Sequence, residues 1–316
     1  MSLQVSNFQF RTKSIVQYYS YALPSNRTGR INYHFRDKEN VKSTETYTGQ
    51  ITKGSKKRLQ RVISLFVQAT QERKVLNPVT NRHMSFRYNF ITLTMPSSEH
   101  STDAKYCHKH LLQPFLRTMR RKYYLKNYVW KCELQKNGNV HYHITTDTFI
   151  HYQDLRNEWN HILDMRGMLD NFKAAYGHSN PNSTDVKKVQ KVQDMEAYLI
   201  KYVCKEDSQG RRINAKVWDC NTTLKQAKYF TIEGSDRLER ELYNLEEKGV
   251  LRIYTGERFA IFKFKNYDIR RLMLPEQYRA YHYHMNTIRN AKEPYYQRDD
   301  YFEGRGCTDY RMYLPR

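Results

Sequence analysis

The chain has few cysteines, and no two of them form a CxxC pair: Cys107, Cys132, Cys204, Cys220 and Cys307 are odd in number and scattered. That pattern argues against both a disulfide framework and a cysteine zinc site, and fits a reducing cytosol. No run of about 18 apolar residues exists to span a bilayer. The start MSLQVSNFQF lacks the charged head and long apolar stretch of a secretory signal, so a cytoplasmic protein without a membrane partner is expected. No GxxxxGK[ST] stretch occurs, which leaves out a phosphate-cradling loop and the strand-separating motor built on it. No internal repeat or long low-complexity linker is found.

Acidic residues are also scarce relative to basic ones. Against 54 Lys+Arg stand 32 Asp+Glu, a net charge of +22. A cationic surface gains counterion-release free energy by neutralising phosphates, so nucleic acid is the leading partner. A generally basic solvated surface or an anionic membrane face would give the same total. The excess is greatest at the start, where residues 1–86 hold 15 basic against 4 acidic side chains. With 39% hydrophobic residues, 27 Tyr and 14 Phe, 316 residues have enough apolar surface to fold despite the low mean hydropathy of -0.89.

The first 50 residues give no clear pattern. From Gly54, Leu59, Val62, Ile63, Phe66 and Val67 recur at helical spacing opposite Lys56, Lys57, Arg58 and Arg61, which predicts an amphipathic helix with a basic outer face. Residues 86–95, rich in aromatic and β-branched types and stopped by Pro96, predict a buried strand. Ser101, Thr102 and Asp103 open a helix whose apolar face is Leu111, Leu112, Phe115, Leu116 and Met119. Residues 128–135 and 140–146 flank an Asn137-Gly138 turn and predict a hairpin. Leu155, Trp159, Ile162 and Leu163 suggest another helix, residues 185–192 a short strand, and a further helix opens at Asp194. Strand, helix, hairpin, helix, strand, helix makes an α+β arrangement, an antiparallel sheet with helices packed on it. The pattern changes after Glu206, where a charged helix over 236–248, a hairpin near Tyr254–Glu257 and a helix begun by Pro275 follow. The expected division is a basic N-terminal region 1–86, a core 87–206 and an accessory region 207–316.

His141-Tyr142-His143 puts two imidazoles at i and i+2 on a strand, hence on one face of the sheet. An isolated HxH is as compatible with ordinary surface or core histidines as with a metal site. A three-residue hairpin loop of Lys136, Asn137 and left-handed Gly138 brings Glu133 opposite His141, adding a carboxylate to the pair. A two-residue Asn-Gly turn instead turns Glu133 to the other face and leaves Gln135 as the fallback ligand. Two imidazoles and one carboxylate leave coordination positions open, which suits Mg²⁺ or Mn²⁺, though zinc accepts the same donors. Further on, Tyr198 and Tyr202 stand one helical turn apart, with Lys201 three residues from the first. Both tyrosines could equally be half-buried packing residues. A phenol of pKa about 10 is a poor nucleophile unless a cation favours the phenolate and neutralises the phosphate, and both kinds of helper are present here.

On these motifs the chain resembles the HUH replication initiators, particularly their two-tyrosine branch of single-stranded DNA phages, related plasmids and some transposases. Phe90-Ile-Thr-Leu-Thr94, His141-Tyr142-His143 with upstream Glu133, and Tyr198-x-x-Lys201-Tyr202 followed by Lys205 occur in the family's order over residues 87–206. Tyr142 departs from the usual aliphatic residue but points away from the ligand face. The N-terminal part, with Thr46-Tyr-Thr-Gly49 and Gly54-Ser-Lys-Lys-Arg58, looks like Reps of phage or plasmid origin. The resemblance implies an HUH endonuclease fold, an antiparallel RRM-like sheet flanked by helices. It also implies metal ligands His141, His143 and Glu133 holding Mg²⁺ or Mn²⁺, and attack by Tyr198 or Tyr202, steadied by Lys201, on single-stranded or hairpin origin DNA. The products are a 5′-phosphotyrosine and a free 3′-hydroxyl for a host polymerase, with strand separation left to a host helicase. A two-tyrosine transposase shares this chemistry, and a non-enzymatic RRM-like binder would stack bases without cutting. A second HxH, His282-Tyr283-His284, follows Pro275 on an expected helix, where i and i+2 diverge, and is read as no metal site. Tyr295-Tyr296 is read as packing or base stacking.

Overall fold

The computed structural model describes residues 3–22, 49–77, 80–98, 100–189, 194–205, 209–257 and 259–290. Thr46, Tyr47, Thr48, Tyr295, Tyr296, Cys307 and the end of the strand expected over 185–192 lie outside the described residues. The chain begins with β1 (Leu3–Phe10) and β2 (Ser14–Ala22), followed by α1 (Lys53–Ala69), β3 (Arg73–Asn77), β4 (Arg82–Phe86) and β5 (Tyr88–Thr94). Helix α2 (Ala104–Cys107) passes through a π turn (His108–Leu112) into α3 (Gln113–Tyr123). The hairpin β6 (Tyr128–Leu134) and β7 (Val140–Thr146) leads to α4 (Tyr152–Asp164), α5 (Asp170–Tyr176), β8 (Thr184–Val189) and α6 (Met195–Val203). The chain then adds β9 (Trp218–Cys220), α7 (Thr222–Gln226), β10 (Phe230–Glu233), α8 (Asp236–Glu247), β11 (Leu251–Gly256), β12 (Phe259–Phe264) and α9 (Pro275–Asn290).

Two five-stranded antiparallel sheets organise these elements, an α+β arrangement as expected. The central sheet has the order β8-β5-β7-β6-β9. Its two faces follow from strict alternation. Ile91, Leu93, Trp130, Cys132, Tyr142 and Ile144 point to one side and bury with Phe115, Leu116, Leu155 and Trp159 of α3 and α4. Tyr88 and Val129 point to the other, where Phe90 packs partly buried beside Leu199 and Val203 of α6 and Leu59 and Ile63 of α1.

The terminal sheet has the order β10-β1-β2-β12-β11, so strands from both ends of the chain hydrogen-bond to one another. This corrects the division expected from sequence: the segments read as 1–86 and 207–316 share one sheet rather than forming separate regions. Phe8, Phe10, Ile15, Phe262 and Phe264 bury on one face of it, at even spacing along each strand. That alternation is present in Val5-Ser-Asn-Phe-Gln-Phe10, where Phe8 and Phe10 are fully buried and Gln9 between them is not.

Helix α1 joins the two sheets. Thr52 caps it, its side chain accepting from Ser55 N at 3.2 Å, and no acidic residue occupies its first turn. Leu59, Val62, Ile63 and Phe66 are at most 2% exposed, and burying each contributes about 1.5–3 kcal/mol. The basic residues expected on its outer face include Lys56, Lys57 and Arg58, which are at least partly exposed. The helix expected from Asp103 is interrupted by the π turn, whose His108 ring faces Trp130 and Tyr142 in the core. The four described cysteines are free and buried, and among the described residues no helix is long and apolar enough to cross a membrane.

The β6–β7 loop is the three-residue form. Gln135 N donates to Asn139 O at 2.9 Å and Gly138 N to Gln135 O at 2.9 Å, with Gly138 at φ +86°. Glu133 pairs with His141 and Lys131 with His143. Only glycine adopts that φ without strain, while the space beside it is open, the nearest outside atom being Thr102 Cγ2 at 3.7 Å from an added Cβ. Gly138→Ala therefore acts through the backbone alone and is expected to destabilise by about 1–2 kcal/mol, with Gly138→Asn costing less. Urea denaturation of both variants checks this.

Candidate active site

Three strands and one helix bring the sequence-identified residues to one face of the central sheet. Across that face Thr92, His143 and Lys131 form one row over β5, β7 and β6, and Thr94, His141 and Glu133 the next. The alternative in which Glu133 turns away is excluded by this register, so Gln135 is not needed as a fallback. Thr92 Oγ1 lies 3.3 Å from His143 Nδ1 and Thr94 Oγ1 3.4 Å from His141 Nδ1, fixing how each ring is turned. The two imidazole centroids are 4.7 Å apart.

Glu133 carries two partners. Lys131 Nζ donates to its Oε1 at 2.5 Å, and His143 Nε2 lies 3.2 Å from its Oε2. An ionised carboxylate can only accept, so in this arrangement His143 Nε2 carries the proton and Nδ1 accepts from Thr92. Burial alone would raise the Glu133 carboxyl. The His143 hydrogen bond and the Lys131 ammonium overcome it and hold the pKa at about 2. His141 goes down to about 4, through burial first and the neighbouring His143 second, with Glu133 opposing. At neutral pH Glu133 is thus anionic and His141 neutral, the forms in which each can donate a lone pair to a cation. Among the described residues no three of His, Cys, Asp and Glu converge as a closed metal cluster. The chemistry of the set nonetheless fits a hard divalent ion, whose binding would displace the proton that His143 and Glu133 now share.

Tyr142, on the opposite face, is fully buried, and its hydroxyl lies 2.7 Å from His108 Nδ1. His108 Nε2 meets the Lys216 carbonyl at 2.7 Å and must donate there, so Nδ1 accepts from Tyr142. This residue, aromatic where the resembled family is aliphatic, anchors the π turn from behind the ligand strand.

Helix α6 crosses the same face. Asp194 caps it by accepting from Ala197 N at 3.0 Å, and Glu196 in the first turn complements its dipole. Met195, Leu199 and Val203 bury at spacing four against the α1 side of the core. That leaves Tyr198, Lys201 and Tyr202 on the outer side. The tyrosine rings are 4.5 Å apart, and Lys201 Nζ lies 5.9 Å from the Tyr202 ring centre. Tyr198 stacks edge-on against Phe90, 5.6 Å between centroids, and Phe90 is two residues from Thr92 on the same face of β5. At the other end of the helix the Lys205 carbonyl accepts from Lys131 Nζ. Helix α6 is therefore pinned at Phe90 on one flank and Lys131 on the other, with β7 between them. Burial raises the Tyr198 phenol above its usual range, the adjacent Tyr202 adds to this, and Lys187 opposes it.

Lys131, 4% exposed, was not identified from the sequence, nor were Thr92 and Thr94. Lys131 stands two residues before Glu133, so strand alternation already put it on the ligand face, but its burial depends on α6. The threonines required the β5–β7 pairing. Beside Glu133 a cavity of about 250 Å³ is lined also by Lys131, Lys205 and Arg211, and Arg211 donates to the carbonyls of Leu134 and Gln135. The second HxH lies on α9 as expected, with His284 Nε2 2.8 Å from the Lys228 carbonyl and His282 against Tyr278, so the two rings serve different neighbours.

Residues 88–207 match a family model of replication-associated proteins, the ORF2 type, in a segment that runs from the start of β5 to just past α6 and covers less than half of the chain. All the residues of the face described above fall within it. Over that segment the chain is similar to replication-associated proteins. No curated protein and no solved structure matches it significantly.

The buried ammonium gives a testable energetic coupling. Lys131→Met leaves the Glu133 carboxylate with His143 alone, and Glu133→Gln leaves the ammonium with a carbonyl. Breaking a fully buried pair costs about 3–5 kcal/mol. Because the Glu133 side chain is 35% exposed, a coupling nearer ~1–3 kcal/mol is expected from a double-mutant cycle in denaturant. Additive single effects would mean the two side chains do not interact.

Proposed function

We propose that the chain initiates replication by cutting single-stranded origin DNA with a tyrosine of α6, in the manner of a two-tyrosine HUH nuclease. The carrying observation is the pairing of Glu133 with His141 on a face that α6 crosses with Tyr198 and Tyr202 turned outward. The match of residues 88–207 to a replication-associated family supports the same reading.

His141, His143 and Glu133 would hold Mg²⁺ or Mn²⁺, which when bound polarises a phosphate and lowers the barrier to attack on it. Thr92 and Thr94 keep the two rings turned to the same side, so their Nε2 atoms stay available. Lys131 holds Glu133 anionic and keeps it beneath the end of α6. Tyr198 or Tyr202 loses its phenolic proton and its oxygen attacks the phosphorus. The bond to the 3′-oxygen breaks, giving a tyrosyl 5′-phosphate and, after that oxygen takes a proton, a free 3′-hydroxyl. Lys201 neutralises charge on the attacking oxygen and the phosphate. With rings 4.5 Å apart, the second tyrosine is within reach of the same phosphate position, so one can cut the regenerated origin while the other holds a strand. Lys205 and Arg211, beside the cavity next to Glu133, suit the phosphates flanking the cut. The strand must enter unpaired, and a host helicase and polymerase supply the separation and synthesis for which the chain carries no motif. A reducing, cytoplasmic setting accords with four free buried cysteines.

Purified protein with Mn²⁺ and single-stranded origin DNA is expected to form an adduct that survives SDS. Chelation and the double change Tyr198→Phe, Tyr202→Phe should each abolish it. His141→Ala and His143→Ala should lower nicking by more than about 100-fold while DNA binding is largely kept. An adduct formed by the double tyrosine variant would sink the tyrosine mechanism. Binding lost together with nicking would make the histidines structural.

A further inference from the structure

The outer face of the terminal sheet carries chemistry that the cleavage site does not use. Strand pairing sets Tyr18 of β2 opposite Phe259 of β12. In the next row Val16 faces Ile261, which faces Tyr254 of β11, and in the third Ser14 faces Lys263, which faces Arg252. Their sequence neighbours Ile15, Phe262 and Phe264 are buried on the inner side, so alternation turns this set outward. Tyr254 is 50% and Phe259 46% exposed, while Val16 at 8% forms the floor between the rings. The Phe259 ring lies across Gly256, where an added Cβ would come within 2.7 Å of a ring carbon, so glycine at 256 lets the ring lie along the sheet.

The helices that reach this sheet use its other side. Glu239 of α8 accepts from Gln17, Tyr243 of α8 meets Phe262, and Tyr281 of α9 packs on Phe230. Two rows holding aromatic rings, bounded by a cationic row, match a single strand of nucleic acid: every base has a π face to stack on a ring, and the phosphates seek cations. A duplex does not fit, because its bases are already stacked on each other. The cationic end also has an address. Lys13, in the β1–β2 turn, pairs with Asp194 Oδ2 at 2.7 Å, and the charge of Lys263 also acts on Asp194, the cap of α6. The platform thus abuts the start of the helix that carries Tyr198 and Tyr202.

We propose that this face is a docking platform for single-stranded DNA, holding a stretch outside the cleavage site by stacking on Tyr18, Tyr254 and Phe259 and by phosphate contacts with Arg252 and Lys263. The choice of DNA rests on the cleavage reading of the adjoining helix. The stacking and the charge do not.

Fluorescence anisotropy of a labelled oligodeoxythymidylate of about 20 nucleotides with the full chain in EDTA tests it. Tyr254→Ala with Phe259→Ala should weaken binding about 10- to 100-fold, while Tyr254→Phe binds as the parent does. Arg252→Gln with Lys263→Gln should reduce the slope of log affinity against log salt by about 1.4. Tyr198→Phe with Tyr202→Phe should leave affinity unchanged. Undiminished binding by the double alanine variant overturns the platform, as does a change of oligomeric state with affinity intact, which would make the face an interface between copies. Tighter binding of an oligouridylate overturns the choice of DNA. Independently of variant folding, irradiating the parent chain with a 5-iododeoxyuridine oligonucleotide should crosslink β2 or the β11–β12 hairpin, and crosslinks only elsewhere reject the proposal. Since chelation silences cleavage, a platform without nicking and nicking without a platform are separate results.

Discussion

The pairing of Glu133 with His141 is the constraint on which the rest of the functional face depends, and two independent forces hold it. One is local: Gly138 at positive φ closes a three-residue loop that admits only this register. The other comes from the core behind. Trp130 and Cys132 alternate with Lys131 and Glu133, and they are 2% and 0% exposed. Slipping the strand by one residue would drive an ammonium and a carboxylate into the cluster around Tyr142 and bring an indole out, at a cost of several kcal/mol. The polar arrangement is thus protected by hydrophobic burial on the opposite face.

Helix α6 obeys the same logic at a different period. Its spacing-four stripe of Met195, Leu199 and Val203 is anchored to α1, and the tyrosines are outward because that stripe is inward. The Asp194 cap, the Phe90 contact and the hydrogen bond from Lys131 to the Lys205 carbonyl hold the helix at start, middle and end. Lys131 serves both structures at once, since the ammonium that keeps Glu133 anionic also satisfies a carbonyl just past the last turn of the tyrosine helix.

Where one element's own pattern determined the outcome, it was legible in advance. The hairpin, the α1 stripe, the two imidazoles on one face and the tyrosine pair on one turn all follow from periods of 2.0 and 3.6 and from one Asn-Gly turn. What depended on pairing between distant strands was not. Thr92 and Thr94 gain their role only once β5 lies beside β7, and the burial of Lys131 needs α6 above it. The first 22 residues looked patternless because Phe8 and Phe10 alternate with polar residues over too short a run to stand out, and because their partners β10 and β12 lie near the other end of the chain. For the same reason no boundary drawn along the sequence could have joined those two ends.

That joining has a consequence for how the molecule comes into being. Strand β2 leaves the ribosome long before β12, its neighbour in the sheet. The stretch that holds the histidines and tyrosines is complete in sequence before the terminal sheet can close around β1 and β2. Such non-local pairing is slow to form, because a long loop must be ordered before the contact rewards it. The early strands therefore wait with their hydrogen-bonding edges unpaired, and a chain cut short before residue 259 would keep the sequence of its reactive centre yet lose the β11–β12 edge of the sheet beside it.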